Sequence, residues 1–225
     1  MRQGVLKRLV QVGTTQVVQG IILFAFAGHL GWPMAWAYLA VGTAVIVYVA
    51  VSVLPKHPDL AAERARLCAS TASWDRVLMS LITCSSIAIL VVAGLDHRFI
   101  WSTPTLALQI AGLVVVALAG ALTASAMTAN RFFAAAVRIQ RDRFHAVVTG
   151  GPYRVVRHPG YAGIMASCLA APIALGSWWA LVPAAVTAVL YAIRTLLEDR
   201  LLRRELEGYD AYAARVRYRL LPGLW

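Results

Sequence analysis

At 225 residues, 60% of them hydrophobic, and with a mean hydropathy of +0.69, this chain is far more apolar than the roughly half-apolar usage of soluble domains. That excludes a soluble globular protein, and the length leaves no room for a separate soluble domain beside the apolar segments. The net charge of +11 would suit a nucleic-acid binder, but its distribution along the chain speaks against nucleic acid.

Six apolar runs lie at about 10–31, 33–54, 77–95, 104–128, 160–176 and 178–197, near the roughly 20 helical residues that cross a bilayer core. They predict an all-α polytopic membrane helix bundle of about six transmembrane helices, within a range of five to six. The first run follows Arg2, Lys7 and Arg8 and contains Ala25-Phe26-Ala27. This resembles a cleavable signal peptide; we read it as a first anchor helix. Gly31-Trp32-Pro33 breaks the first two spans into a hairpin whose tip carries Trp32 and Trp36, as an interfacial aromatic belt requires. From Leu54 to Trp74 runs a connector interrupted by Pro55 and Pro58, where Asp59, Glu63, Arg64 and Arg66 mark a short amphipathic surface helix. A short loop from Asp96 to Pro104 joins the third and fourth spans. Residues 130–149 interleave Arg131, Arg138, Gln140, Arg141, Asp142, Arg143 and His145 with Phe132, Phe133, Val137, Ile139 and Phe144, the pattern of a segment lying on the membrane face. Gly176-Ser177 folds the last two spans into an antiparallel hairpin. Beyond Arg194 the chain reads as a charged cytoplasmic helix with an apolar stripe of Leu196, Leu197, Leu201 and Leu202.

With both termini in the cytoplasm, six spans place every one of the 21 basic residues inside except Arg98. The positive-inside rule gives this bias, so the charge reports topology, with attraction to anionic headgroups as a secondary reading. Cys68, Cys84 and Cys168 are odd in number and lack ligand spacing, which indicates neither a disulfide nor a metal site. His29 and His97, near outer helix ends, read as interfacial. The first four spans lack the mid-membrane ionisable residues that would mark a conduction path.

The chemistry concentrates at Gly150-Gly151-Pro152-Tyr153-Arg154-Val155-Val156-Arg157-His158-Pro159-Gly160-Tyr161. Counted from the turn near Ser177, His158 and Glu198 lie about 20 residues away on either side, so a rise of roughly 1.5 Å per residue carries both to the same depth. Arg157 and His158 should then face Glu198 and Asp199, with Arg194 one turn before Glu198 on the same helix face. Pro159 suits a first helical turn and holds His158 just outside it. The backbone N–H groups of such a helix start favour an anion, and Gly150, Gly151 and Pro152 let the incoming chain pass close to a ligand. Snorkelling charges and hairpin-locking salt bridges are the bland alternative.

These residues resemble a known family. GPYRVVRHPGYAG, then Glu198-Asp199, Leu206, Gly208-Tyr209, Tyr212 and Arg215-Val216, is similar to the C-terminal half of the isoprenylcysteine carboxyl methyltransferases and the wider phospholipid methyltransferase group. His145-Ala146-Val147-Val148-Thr149 resembles the family's His-x-Leu-Val-Thr segment, with Val147 in place of Leu. The likeness covers about residues 130–222 and none of the first hundred. It divides the chain into N-terminal helices and connector (1–100) and a methyltransferase-like membrane domain (101–225), one structural unit. It implies an integral membrane methyltransferase that uses S-adenosylmethionine, without a metal, on a lipophilic small-molecule or lipidated acceptor. The family's cofactor site maps onto Gln140, His145, Val148, Thr149, Gly150, Tyr153, Arg157, His158, Pro159, Tyr161, Gly163, Glu198 and Asp199. Glu198, Arg194 and His158 take the catalytic places. Asp199 stands where the family has a second Glu; being one methylene shorter, it puts the functional weight on Glu198. The implied surroundings are membrane lipids and a cytoplasm-facing cofactor site, with no nucleic acid and no assigned oligomeric state. Nineteen Arg against two Lys, with abundant Ala, suits a high-GC bacterium and hence an inner membrane. A membrane NADPH-dependent reductase of the sterol type and a non-catalytic membrane protein are the alternatives.

Overall fold

The computed structural model describes residues 2–64 and 73–225; Arg66 and Cys68 lie outside the described residues. The helices are α1 (Arg2–Ala27), α2 (Pro33–Val53), α3 (Pro58–Arg64), α4 (Ser73–Phe99), α5 (Leu106–Ala129), α6 (Pro159–Leu175), α7 (Leu181–Glu205) and α8 (Tyr209–Arg215), with no strand among the described residues. Local chemistry sets the breaks. Gly28 turns the chain out of α1 at φ +79. Pro33 and Pro159 open α2 and α6, where a missing N–H costs nothing. Gly176 ends α6 in the left-handed conformation, as glycine tolerates.

Among the described residues, five helices are long and apolar enough to cross a membrane, which makes the chain an integral membrane protein. The sixth apolar helix, α6, has 17 residues. At 1.5 Å per residue it is about 26 Å long, short of the roughly 30 Å of a bilayer core. It packs most extensively on α5, and glycine permits the approach. A Cβ on Gly112 would stand 2.5 Å from the Ala174 nitrogen, and one on Gly163 would stand 2.7 Å from the Ala119 carbonyl. Small residues at such crossings let membrane helices meet backbone to backbone. Gly163, assigned to the cofactor by resemblance, stands in this helix crossing.

The structure revises three details expected from the sequence. α4 runs a turn further at each end than its apolar run, taking in Asp75, Asp96, His97 and Arg98; each acid finds hydrogen-bond donors, so a charged end does not stop the helix. α7 continues unbroken through Arg194 to Glu205, so the charged segment is an extension of the span. Trp32 is a core residue rather than a belt residue: it is buried with Leu23, Ala35 and Ile89 and stacks on His97 with ring centroids 4.2 Å apart. Trp36 stays exposed. Asp96 takes hydrogen bonds from Ser102 at 2.7 Å and Ser177 at 2.5 Å, whereas Arg98 lies over the Phe99 ring.

The helices alternate in direction, so the bundle has two ends. One gathers the α1–α2, α4–α5 and α6–α7 turns, with Asp96 and Ser177 between them. The other gathers the starts of α4 and α6 and the ends of α5 and α7, and there residues 130–158 fold as irregular chain with two 3-10 turns.

Candidate functional site

At that second end a pocket enclosing about 830 Å³, part of it open to solvent, lies between the 130–148 segment, the start of α6, the end of α7 and α8. Phe132, Phe133, Val137, Leu201, Leu202 and Leu206 give it apolar walls, and Gln140, His145, Tyr153, Arg157, Tyr161 and Glu198 supply its polar groups.

Short fixed turns bring the polar groups there. Gly151, at φ +58, starts the 3-10 turn Gly151–Arg154, which buries Tyr153. The Tyr153 hydroxyl accepts from Asn130 at 3.1 Å, and its carbonyl accepts from the Tyr212 hydroxyl at 2.8 Å. Burial raises the pKa of Tyr153 well above that of an ordinary phenol and pushes Tyr212 up to about 12, so both remain neutral hydroxyls. The chain then passes under its own C-terminal segment. Arg157 N–H donates to the Tyr218 carbonyl and His158 N–H to the Arg219 carbonyl, both at 2.9 Å. Those two backbone donors precede the first turn of α6, which begins at Pro159.

The two helix ends do meet at one level. Tyr161 donates to Glu198 Oε2 at 2.5 Å. Asp199, 2% exposed, is the hub: Arg157 Nη1 lies 3.2 Å away, His158 Nε2 3.5 Å and Arg219 Nε 3.3 Å, and the Tyr209 hydroxyl donates to it at 2.9 Å. Arg203 approaches from the next turn of α7 at 3.4 Å. Burial lowers the pKa of Arg157 from its usual value, with Asp199 opposing. The Arg157 guanidinium is buried, yet among the described residues its Nε and Nη1 have no hydrogen-bond partner, although Nη1 faces Asp199 as an ion pair. Buried donors of this kind are ordinarily satisfied, and Arg157 is among the residues that line the pocket.

Arg194 takes a different partner from the one its spacing suggested. Its Nε donates to Asp75 Oδ1 at 2.7 Å and its Nη2 to the Ala135 carbonyl at 2.8 Å, while the guanidinium sits 5.3 Å from the centroid of the Tyr161 ring. Asp75 carries no local sequence signal: it precedes the apolar run and stands 119 residues from Arg194. Of the other assigned residues, Val148 lines the pocket. Thr149 is exposed, Gly150 is half-buried, and Pro159 is buried at the start of α6.

His145 stands on the opposite wall. Its Nδ1 accepts from Gln140 N–H at 3.3 Å, and its ring meets Phe132 with centroids 4.6 Å apart. Burial, aided by Arg138 and Arg143, pushes its pKa down from 6.5 to about 4. The folded chain therefore binds this proton more weakly than the unfolded chain. Stability is full above pH 6.5 and is lost as pH falls from there toward about 4. Thermal unfolding in detergent should show that loss, and His145→Gln should flatten it.

Known proteins share this half of the chain. The family model for phospholipid methyltransferases matches residues 107–207, the span from α5 through the pocket to the end of α7. Over those residues the chain is similar to the phospholipid methyltransferase family. A probable protein-S-isoprenylcysteine O-methyltransferase of Oryza sativa subsp. indica is 33% identical over 110 residues, 47% of this chain and 56% of the relative. Its counterpart in subsp. japonica matches to the same extent. Protein-S-isoprenylcysteine O-methyltransferase B of Arabidopsis thaliana is 38% identical over 55 residues, 24% of this chain and 28% of its own. The chain thus spans about half the length of the rice relatives. Within the phospholipid methyltransferase region lie Arg157, Tyr161, Arg194, Glu198 and Asp199; Asp75, Tyr209 and Arg219 lie outside it.

Proposed function

We propose that this protein is a membrane methyltransferase that binds S-adenosylmethionine in the pocket at the start of α6 and methylates a lipophilic acceptor. The observation that supports this reading is the buried Arg157, whose Nε has no hydrogen-bond partner among the described residues, on the lining of a pocket that also holds Glu198. The residues fit the cofactor's chemistry. Arg157 suits the amino-acid carboxylate, Glu198 suits the ammonium or the ribose hydroxyls, and the rings of Tyr153 and Tyr161 suit the adenine or the sulfonium. When bound, the cofactor supplies an electrophilic methyl group on a cationic sulfur. The protein's own work is alignment and the exclusion of water, because an in-line displacement gains most from orientation. Tyr161 fixes Glu198 through its hydroxyl, and the apolar walls from Phe132 to Leu206 keep the reacting groups dry.

A carboxylate acceptor needs no base. An amine or hydroxyl does, and Glu198 and His158 are the ionisable groups placed to serve. The relatives' printed names point to an S-isoprenylated cysteine carboxylate, and an isoprenoid or lipid acid would present the same chemistry. The basic residues concentrate at the pocket end of the bundle, which supports a cytoplasmic site; the Arg and Ala usage supports a bacterial inner membrane.

Calorimetric titration of the purified protein with S-adenosylmethionine and S-adenosylhomocysteine, against NADPH, tests this reading. Saturable binding of the two sulfur nucleotides and none of NADPH is expected. Binding of NADPH alone would replace the reading with a reductase.

A further inference from the structure

Two buried carboxylates from the first hundred residues reach the site: Glu63 pairs with Arg138 of the pocket wall at 2.6 Å, and Asp75 pairs with Arg194. Asp75, in the first turn of α4, is fully buried. Its Oδ1 accepts from Arg194 Nε at 2.7 Å, and its Oδ2 accepts from the Val137 N–H at 2.9 Å, with Arg194 Nη2 at 3.3 Å from the same oxygen. A bidentate, charge-assisted contact of this type fixes the plane of a guanidinium as well as its position. That plane lies over Tyr161, and Tyr161 donates to Glu198. The Val137 end of the contact belongs to the pocket wall. Asp75 therefore ties together α4, α7 and the 130–148 segment, and a shift of its carboxylate moves Arg194, Tyr161 and the wall together.

We propose that Asp75 is a positioning residue for methyl transfer, acting through Arg194 to hold Tyr161 and Glu198 in reacting geometry. This rests on the methyltransferase reading above. A misplacement of about 1 Å remote from the reacting atoms is worth on the order of 100-fold in rate, and Asp75→Asn, which keeps an acceptor but loses the charge, is the fitting perturbation.

The test measures methyl transfer from radiolabelled S-adenosylmethionine to an S-prenylated cysteine in detergent, for wild type, Asp75→Asn, Arg194→Ala and the double variant, with S-adenosylhomocysteine affinity measured alongside. Asp75→Asn should lower kcat about 100-fold while KM and nucleotide affinity stay within about threefold of wild type. The double variant should be no slower than Arg194→Ala, because the two residues act as one unit. A loss confined to folding would lower the amount of binding-competent protein and leave kcat per bound nucleotide unchanged, which would overturn the inference. So would a kcat for Asp75→Asn within threefold of wild type, or losses that multiply in the double variant. If Asp75→Asn does not fold, Asp75→Glu takes its place: its longer side chain should lower kcat of the folded protein at least about tenfold, with no further loss on adding Arg194→Ala, and a folded variant within threefold of the wild-type kcat refutes the inference. A second readout needs no acceptor. Phenylglyoxal should modify Arg194 at least about tenfold faster once Asp75 no longer holds its fork, and an equal rate overturns the inference. A wild-type protein that binds neither sulfur nucleotide would instead refute the methyltransferase reading, whatever the modification rate.

Discussion

Arg157→Ala should weaken S-adenosylhomocysteine binding by at least about thirtyfold. Truncating one partner of a buried, hydrogen-bonded charge pair costs about 2–5 kcal/mol, and each 1.4 kcal/mol is about tenfold in affinity. Arg157 has the geometry for an effect of that size. Its side chain is buried, its Nε is unpaired, and its remaining contacts, to Asp199 and the Arg217 carbonyl at 3.3 Å, brace it from behind. Arg157→Lys keeps the charge but loses the planar fork, so it should recover only part of the affinity. Calorimetry on protein with an unchanged melting temperature separates a lost contact from a lost fold. Full affinity in the alanine variant would remove Arg157 from the site.

Asp199→Ala should be the most destabilising single change at this end of the bundle, by about 3–5 kcal/mol, the range for stripping a buried charge of its partner. Arg157, His158, Arg203 and Arg219 converge on this carboxylate. Its removal leaves like charges facing one another in a dry setting. Asp199→Asn, which still accepts from Tyr209, should lose less. Glu198→Gln, whose carboxylate takes one hydrogen bond from Tyr161, should melt close to wild type and show its defect in nucleotide binding or turnover. Thermal unfolding of the three variants in one detergent reads this order directly. Equal melting of Asp199→Ala and Glu198→Gln would show that the hub carries no structural weight.

The contrast between these neighbouring acids shows where sequence is legible. That Arg157, His158, Glu198 and Asp199 share one level follows from a fixed rise per residue on either side of a short turn, and the structure brings them together. Which acid holds the network together does not follow from spacing. It depends on the direction each side chain leaves α7, and on Tyr209 and Arg219, which arrive from beyond the helix. Asp75 was harder still. Its partner is remote in the chain, and hydropathy begins the span after it. The contacts of Tyr218 and Arg219 with the α6 start are made by backbone atoms and leave no mark in residue type. Trp32 read as a belt residue because its neighbours mark a helix end, and only its stacking on His97 shows that it is core.

The short α6 has a consequence for the surrounding lipid. A helix of about 26 Å, beside α5 and α7, each about two turns longer, falls short of a hydrocarbon slab of about 30 Å. Either the bilayer thins along that face, or the Arg157-His158 end of the helix sits some ångströms beneath the level its neighbours reach. In both arrangements an amphiphile resting against α6 needs only a small vertical excursion to bring its polar end level with the pocket. Hydrophobic mismatch thus draws the membrane and the pocket together where the chain is shortest.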